Sequence, residues 1–305
     1  MPTSPPQPQP VPASPGTGTA PTPGRYRNDL ALFLAIAFVT SWLAWSVAIA
    51  VGGESTAPPA NLPYTLGAFG PLAGALVVRV LRQRRREPVP AQVVAFRREH
   101  LVWAPALMAL GSATVVVAAL FGYAAGGPAL SLDSAGDMAE RMGGPAGFLV
   151  GMLVSGPISE EAGWRGTAYP RLRATRGRFQ VGLLLDVLWA LWHLPLFLIE
   201  GTPQHELGLT SGSGVLFAVS NIPMAMLVAC AYDRAGIVAA IGTHFAVNLS
   251  LVSLGLTDPV AQAMLIGVQS IAVALLLVSG RGSEETGRRP APTEEEHPGK
   301  NAAHA

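Results

Sequence analysis

The chain has one cysteine, few charges and almost no lysine. Cys230 is the only cysteine in 305 residues, which excludes an intrachain disulfide and any zinc site built on paired thiolates. It sits in an apolar run, where a free cysteine behaves as a small buried apolar side chain. Only 13% of the residues are charged, half are hydrophobic, and the mean hydropathy is +0.39. That balance excludes an ordinary soluble domain and fits a polytopic membrane protein. The net charge of +1 says nothing by itself about nucleic acid; the placement of the charges, taken up below, is read as a topology signal, and no nucleic-acid partner is expected. No internal repeat, second soluble domain or H-E-x-x-H motif is present. The stretch before Arg25 is not expected to be a signal peptide, since it has no basic n-region with a short apolar core.

What the chain does have is eight apolar segments. They are Leu30–Val51, Tyr64–Leu81, Leu101–Ala124, Phe148–Ala168, Val181–Ile199, Gly214–Ala231, Gly236–Leu254 and Val260–Ser279. Each is 18–24 residues long, enough for a helix rising 1.5 Å per residue to cross a bilayer. The expected fold is therefore all-α, a polytopic membrane protein of about eight transmembrane helices. Residues 1–28 read as a Pro-rich disordered tail and 281–305 as a polar one. Between them lie segments 1–3 (29–144), a core of segments 4–7 (145–254) and segment 8 (255–280).

Arginine is distributed unevenly. Arg25 and Arg27 precede segment 1, Arg82–Arg86 with Arg97 and Arg98 follow segment 2, and Arg171, Arg173, Arg176 and Arg178 follow segment 4. Arg234 separates segments 6 and 7. With eight crossings every cluster falls on one face, so the positive-inside rule puts both termini in the cytoplasm. The Arg82–Arg86 run serves that topology and can sit against anionic membrane lipid.

Segment 4 carries three ionisable side chains, Glu160, Glu161 and Arg165, inside an otherwise apolar stretch. Unpaired near a bilayer centre they would cost roughly 8–10 kcal/mol together. Such charges persist when they pair or face a water-filled cavity. Glu161 and Arg165 are spaced i, i+4 with the acid first, the favoured order for a helical ion pair. Glu160 is turned about 100° away and must face something else. Two other segments bring imidazoles, His193 on segment 5 and His244 on segment 7. Under the eight-segment topology Glu160 and His244 lie about 12 Å, and His193 about 18 Å, from the cytoplasmic ends. Three helices thus converge on one level. His244 and Asn248 share a face of segment 7, and Trp189 and His193 share one of segment 5. Asp186 is expected to face the cytoplasmic vestibule, and Asn221 to have only a structural role. Gly156 and Pro157 loosen segment 4 just before the carboxylates and can admit water.

This set permits hydrolysis. A desolvated carboxylate can be general base to a water held by a histidine, and a second histidine with an amide can stabilise an oxyanion. Equally, Glu160, His193 and His244 could bind a catalytic Zn2+; the spacing does not decide between the two.

Glu160-Glu161-Ala162-Gly163-Trp164-Arg165 resembles the EExxxR motif of the CPBP intramembrane proteases, the CAAX protease and bacteriocin-processing (abortive-infection) group. Trp189-Ala190-Leu191-Trp192-His193 is similar to its FxxxH motif, with Trp in place of Phe, and His244-Phe245-Ala246-Val247-Asn248 to its HxxxN motif. All three stand in order within about Pro145–Leu254. The resemblance implies an intramembrane endopeptidase acting on a membrane-anchored protein or peptide. Glu160 would activate water with His193, His244 and Asn248 would stabilise the oxyanion, and Glu161 and Arg165 would support them. The group has carried the label metalloprotease, while the same residues support a metal-free glutamate mechanism. At position 189 an aromatic is retained, and packing is its expected role. The Arg-over-Lys bias suggests a bacterial plasma-membrane protein, for which prenylated substrates are less expected. A non-catalytic membrane immunity or peptide-binding protein and a proton-coupled transporter are the alternatives. The transporter is disfavoured because inverted repeats and paired broken helices are not visible.

Overall fold

The structure is a computed structural model and describes residues 23–286. Its elements are all helical: α1 (Pro23–Val51), α2 (Asn61–Gly67), α3 (Gly70–Arg84), α4 (His100–Ala124), α5 (Asp133–Arg141), α6 (Pro145–Leu153), α7 (Ser159–Gly163), α8 (Tyr169–Arg173), α9 (Arg178–Trp192), α10 (Pro203–Leu207), α11 (Gly212–Ser253) and α12 (Pro259–Thr286). Two π-turns, Val154–Ile158 and Trp164–Ala168, join α6, α7 and α8 into one rod. A 3-10 turn, Leu194–Leu198, prolongs α9 where Pro195 cannot continue an α-helix.

Five helices are long and apolar enough to cross a membrane, or seven when α2 with α3, and α5 with the rod, each form one bent span. The longest, α11, has 42 residues. Straight, it would measure about 63 Å, twice a bilayer's hydrocarbon thickness. It is not straight. Gly236 has φ +74°, a left-handed conformation suited to glycine, and Ala235 is also non-helical. The carbonyl of Ala225 accepts from Arg165, and His244 contacts Glu161, while Arg165 and Glu161 bond each other. Residues 225 and 244 would be about 28 Å apart on one straight helix. The chain therefore reverses at Ala235–Gly236, and α11 supplies segments 6 and 7 of the sequence expectation.

The helix ends sort onto two faces. On one, Asp29 at the start of α1 pairs with Arg85 after α3 (2.7 Å) and with Arg171 in α8 (3.5 Å). Arg178 at the start of α9 and Tyr169 in α8 both bond Asp233, beside the α11 reversal. On the other, the Ser55 amide donates to the Glu200 carbonyl, joining the α1–α2 loop to the one after α9. These pairs explain why α1 starts at Pro23, inside the stretch expected as tail. Its first turns are held by Arg25–Glu87 (3.0 Å) and Asp29–Arg85 rather than by lipid. At the other end α12 runs on to Thr286. The rest of both expected tails, 1–22 and 287–305, lies outside the described residues.

Burial is inverted relative to a soluble protein. Leu43, Leu101, Val102, Leu275 and Val278 are exposed, whereas Glu160, Glu161, Arg165, Asp186, His193 and His244 are buried. Apolar side chains outside and ionisable ones inside are what lipid as solvent requires.

Candidate active site

The site is built on the rod Pro145–Arg173. Pro157 has no N–H to give to the turn before it, and the first π-turn takes up the resulting slack. The loosening expected from Gly156 and Pro157 is thus a wide turn rather than a break. Directly after it, α7 presents Glu160 and Glu161 to different neighbours.

Glu161 is the inner one and is fully buried. Its Oε1 accepts from Arg165 Nη1 at 3.0 Å and contacts His244 Nδ1 at 2.7 Å. A second guanidinium nitrogen, Nη2, donates to the carbonyl of Ala225 at 2.9 Å. The i, i+4 pair expected from spacing is therefore present, and it belongs to a larger network. That network ties α7 to both arms of α11 and fixes the His244 ring. Because a carboxylate only accepts, Nδ1 of His244 carries the hydrogen and Nε2 is left for the site.

Glu160 turns toward α9, where its Oε2 accepts the indole N–H of Trp189 at 2.5 Å. The Trp189 carbonyl accepts from His193 Nδ1 at 2.8 Å, so Nε2 of His193 is left with its lone pair in the neutral ring. The Trp189 ring lies edge-to-face with His193 (centroids 5.0 Å) and His244 (5.4 Å), and the Arg165 guanidinium stands 5.6 Å from its centre. Packing is therefore not all that Trp189 does. No local signal in the sequence singles out this indole: the N–H groups of the equally buried Trp164 and Trp192 have no acceptor.

The other oxygen of Glu160 lies on the Gly156 side. A Cβ added to Gly156 would lie 3.8 Å from Glu160 Oε1 and 3.9 Å from Asn248 Nδ2, ordinary van der Waals distances. Gly156 and Asn248 are half-buried, whereas Glu160 is buried. Glu160, His193, His244 and Asn248 are thus gathered around Trp189 and Gly156. Glu160 and His193 are linked through Trp189.

Asp186 differs from expectation. It does not face a vestibule: it is 1% exposed, and neither carboxylate oxygen has a hydrogen-bond partner. One turn before Trp189 on α9, it lies inside the helix bundle, where Arg165 is the charge acting on it. Asn221 is buried in α11 with its amide nitrogen unbonded. Among the described residues no three His, Cys, Asp or Glu side chains form a group that could hold a metal. Glu160 Oε2 and His244 Nδ1 are turned to protein partners instead. An apolar groove of about 590 Å³, lined by Val39, Leu43, Val47, Leu66 and Phe69, runs between α1 and the α2–α3 bend and holds none of these residues.

An all-α membrane protein with a buried glutamate, two histidines and an amide on three neighbouring helices defines a class, polytopic proteins with an ionisable site inside the bundle. The comparisons narrow it. A family model described as Type II CAAX prenyl endopeptidase Rce1-like matches residues 143–250. CAAX prenyl protease 2 of Methanococcus maripaludis is 24% identical over 240 residues, spanning 76% of this chain and 88% of that protein. Both similarities point to the CAAX protease family, and the matched residues 143–250 contain the π-turns, α7, α9 and the site residues of both arms of α11.

Proposed function

We propose that this chain is an intramembrane endopeptidase that hydrolyses a peptide bond of a membrane-associated protein or peptide, with Glu160 as general base. The observation that carries this is the asymmetric placement of the Glu160 carboxylate. One oxygen is held by Trp189, and the other lies on the Gly156 side, toward the Asn248 amide. A base needs a fixed lone pair aimed at the attacking water, and the half-buried Gly156–Asn248 side is where we place that water.

In the proposed step a water between Glu160 Oε1 and His193 Nε2 attacks the scissile carbonyl carbon. Its proton passes to Oε1 while its other hydrogen donates to His193. The carbonyl oxygen takes up negative charge, stabilised by Asn248 Nδ2 and by His244 Nε2. His244 Nε2 donates when the ring carries both hydrogens, with Nδ1 on the Glu161 carboxylate. The tetrahedral carbon then expels the amine, which takes the proton from Glu160 Oε1. No step runs through a metal.

Membrane lipid surrounds the bundle, and the Arg-rich face, with both termini, is the cytoplasmic one. The Methanococcus relative is named a CAAX prenyl protease. Here the substrate class is the wider one, a peptide bond of any membrane-anchored chain that reaches Glu160 Oε1.

Cleavage of a membrane-anchored reporter by purified protein in liposomes tests the assignment. Glu160→Gln and His193→Ala are expected to lose about 10²–10⁴-fold in kcat, the usual contribution of general base catalysis. Wild-type cleavage is expected to persist after exhaustive chelation. Cleavage by Glu160→Gln at the wild-type rate would remove Glu160 from the role of base, and biological activity surviving both substitutions would favour a binding or immunity protein.

A further inference from the structure

Trp189 stands where the family's pattern has phenylalanine, and it does something phenylalanine cannot. Its Nε1–H donates to Glu160 Oε2 in a buried hydrogen bond. The indole is itself immobilised on every side. Its own carbonyl accepts from His193 Nδ1, the Arg165 guanidinium lies against its face, and the two imidazoles meet it edge-on. A glutamate side chain turns about several single bonds, so a carboxylate that must offer one oxygen to a water needs such a clamp to keep one orientation. On the far side of the same carboxylate, Oε1 lies toward Gly156 and the Asn248 amide.

We propose that Trp189 is a positioning residue for proton abstraction: its N–H holds Oε2 of Glu160, so that Oε1 alone takes and returns the proton of the attacking water. This rests on Glu160 being the base. Trp189 then acts on the chemical step and not on substrate affinity, because it reaches the reaction only through Glu160. A ring kept for packing alone would give the opposite pattern, indifference to the N–H as long as the ring volume is preserved.

Two variants separate N–H from ring. Trp189→Phe removes the donor and some volume. Benzothienylalanine introduced at position 189 keeps the fused ring and puts sulfur where the N–H was. Both are expected to lower kcat about 10- to 100-fold, the loss set by a hydrogen bond to a charged group, with KM unchanged. A folded benzothienylalanine protein with wild-type kcat overturns the proposal. A third measurement needs neither variant. In protein labelled with 15N-tryptophan, one of the six indole N–H signals is expected to move on Glu160→Gln while the others stay; no movement of any signal also overturns it. Glu160→Gln in the same cleavage assay keeps the two readings apart. If it is inactive while the variants at 189 are not, only the role of Trp189 falls. If it cleaves normally, the base assignment falls first.

Discussion

Among single residues, Glu161 and Arg165 show how a membrane interior tolerates charge. Both are buried, yet each finds partners: Arg165 on Glu161 and the Ala225 carbonyl, Glu161 on Arg165 and His244. Removing one member of a buried pair leaves the other uncompensated, which costs about 3–5 kcal/mol. Arg165→Lys is a sharp version of that test. Lysine keeps the charge but has no planar fork with which to reach Glu161 and Ala225 together. It is expected to lower the thermal midpoint in detergent, read by a fluorescence melt, and to reduce cleavage because the α7–α11 contact that positions His244 loosens. An unchanged melt would mean the guanidinium is not structural. Part of this network is legible in the sequence. The i, i+4 spacing points to the Glu161–Arg165 pair. The contact between Glu161 and His244, 83 residues apart, follows from tertiary packing and has no local signature. Asp186 departs from expectation for a related reason. Sequence places it on the histidine's side of α9, but whether that side meets water or protein depends on which helix covers it.

Between helices, the rod Pro145–Arg173 must come close to α1 and α3 for its carboxylates to turn toward α9 and α11. Gly163 makes that approach possible. A Cβ there would lie 2.7 Å from Pro71 Cβ and 2.9 Å from a Phe33 ring carbon, shorter than any van der Waals contact. Small residues at such crossings are how membrane helices gain packing without a hydrophobic driving force between them. Gly163→Ala is therefore expected to destabilise the protein by about 1–3 kcal/mol, the usual penalty for overpacking, measured as a lower midpoint in the same melt. An equal or higher midpoint would show that the α3–α7 crossing relaxes freely. Hydropathy locates the apolar runs because lipid selects their length and composition directly. It does not locate the π-turns or the bend between α2 and α3. Those depend on single residues such as Pro157 and on neighbours distant in sequence, and mean hydropathy is blind to both.

Across the bundle, the ion pairs and loop contacts fix which ends share a face, and this turns a charge-counting rule into a geometric expectation. Asp29, Arg85 and Arg171 are tied together on one face, and Ser55 and Glu200 are tied together on the other. The Arg-rich set is on the first face, so by the positive-inside rule that face is expected to be the cytoplasmic one. The site inherits a depth from this. Glu160 lies roughly 16 Å along the rod from Arg171, and Gly156 about one turn further from that face. If Glu160 is the base, Oε1 is expected to lie within the thickness of the bilayer rather than at its surface, and a substrate would enter the membrane region to meet it. Single-cysteine labelling in a Cys230→Ala background tests the orientation. Glu54 and Arg84 are both exposed, Glu54 beside Ser55 on the second face and Arg84 beside Arg85 on the first. A membrane-impermeant maleimide is expected to label Glu54→Cys in intact bacterial cells and Arg84→Cys only after permeabilisation. The reverse pattern would invert the protein, and with it the compartment that the Arg-rich ends and Arg171 face, while leaving the pairing of the helix ends and the depth of Glu160 untouched.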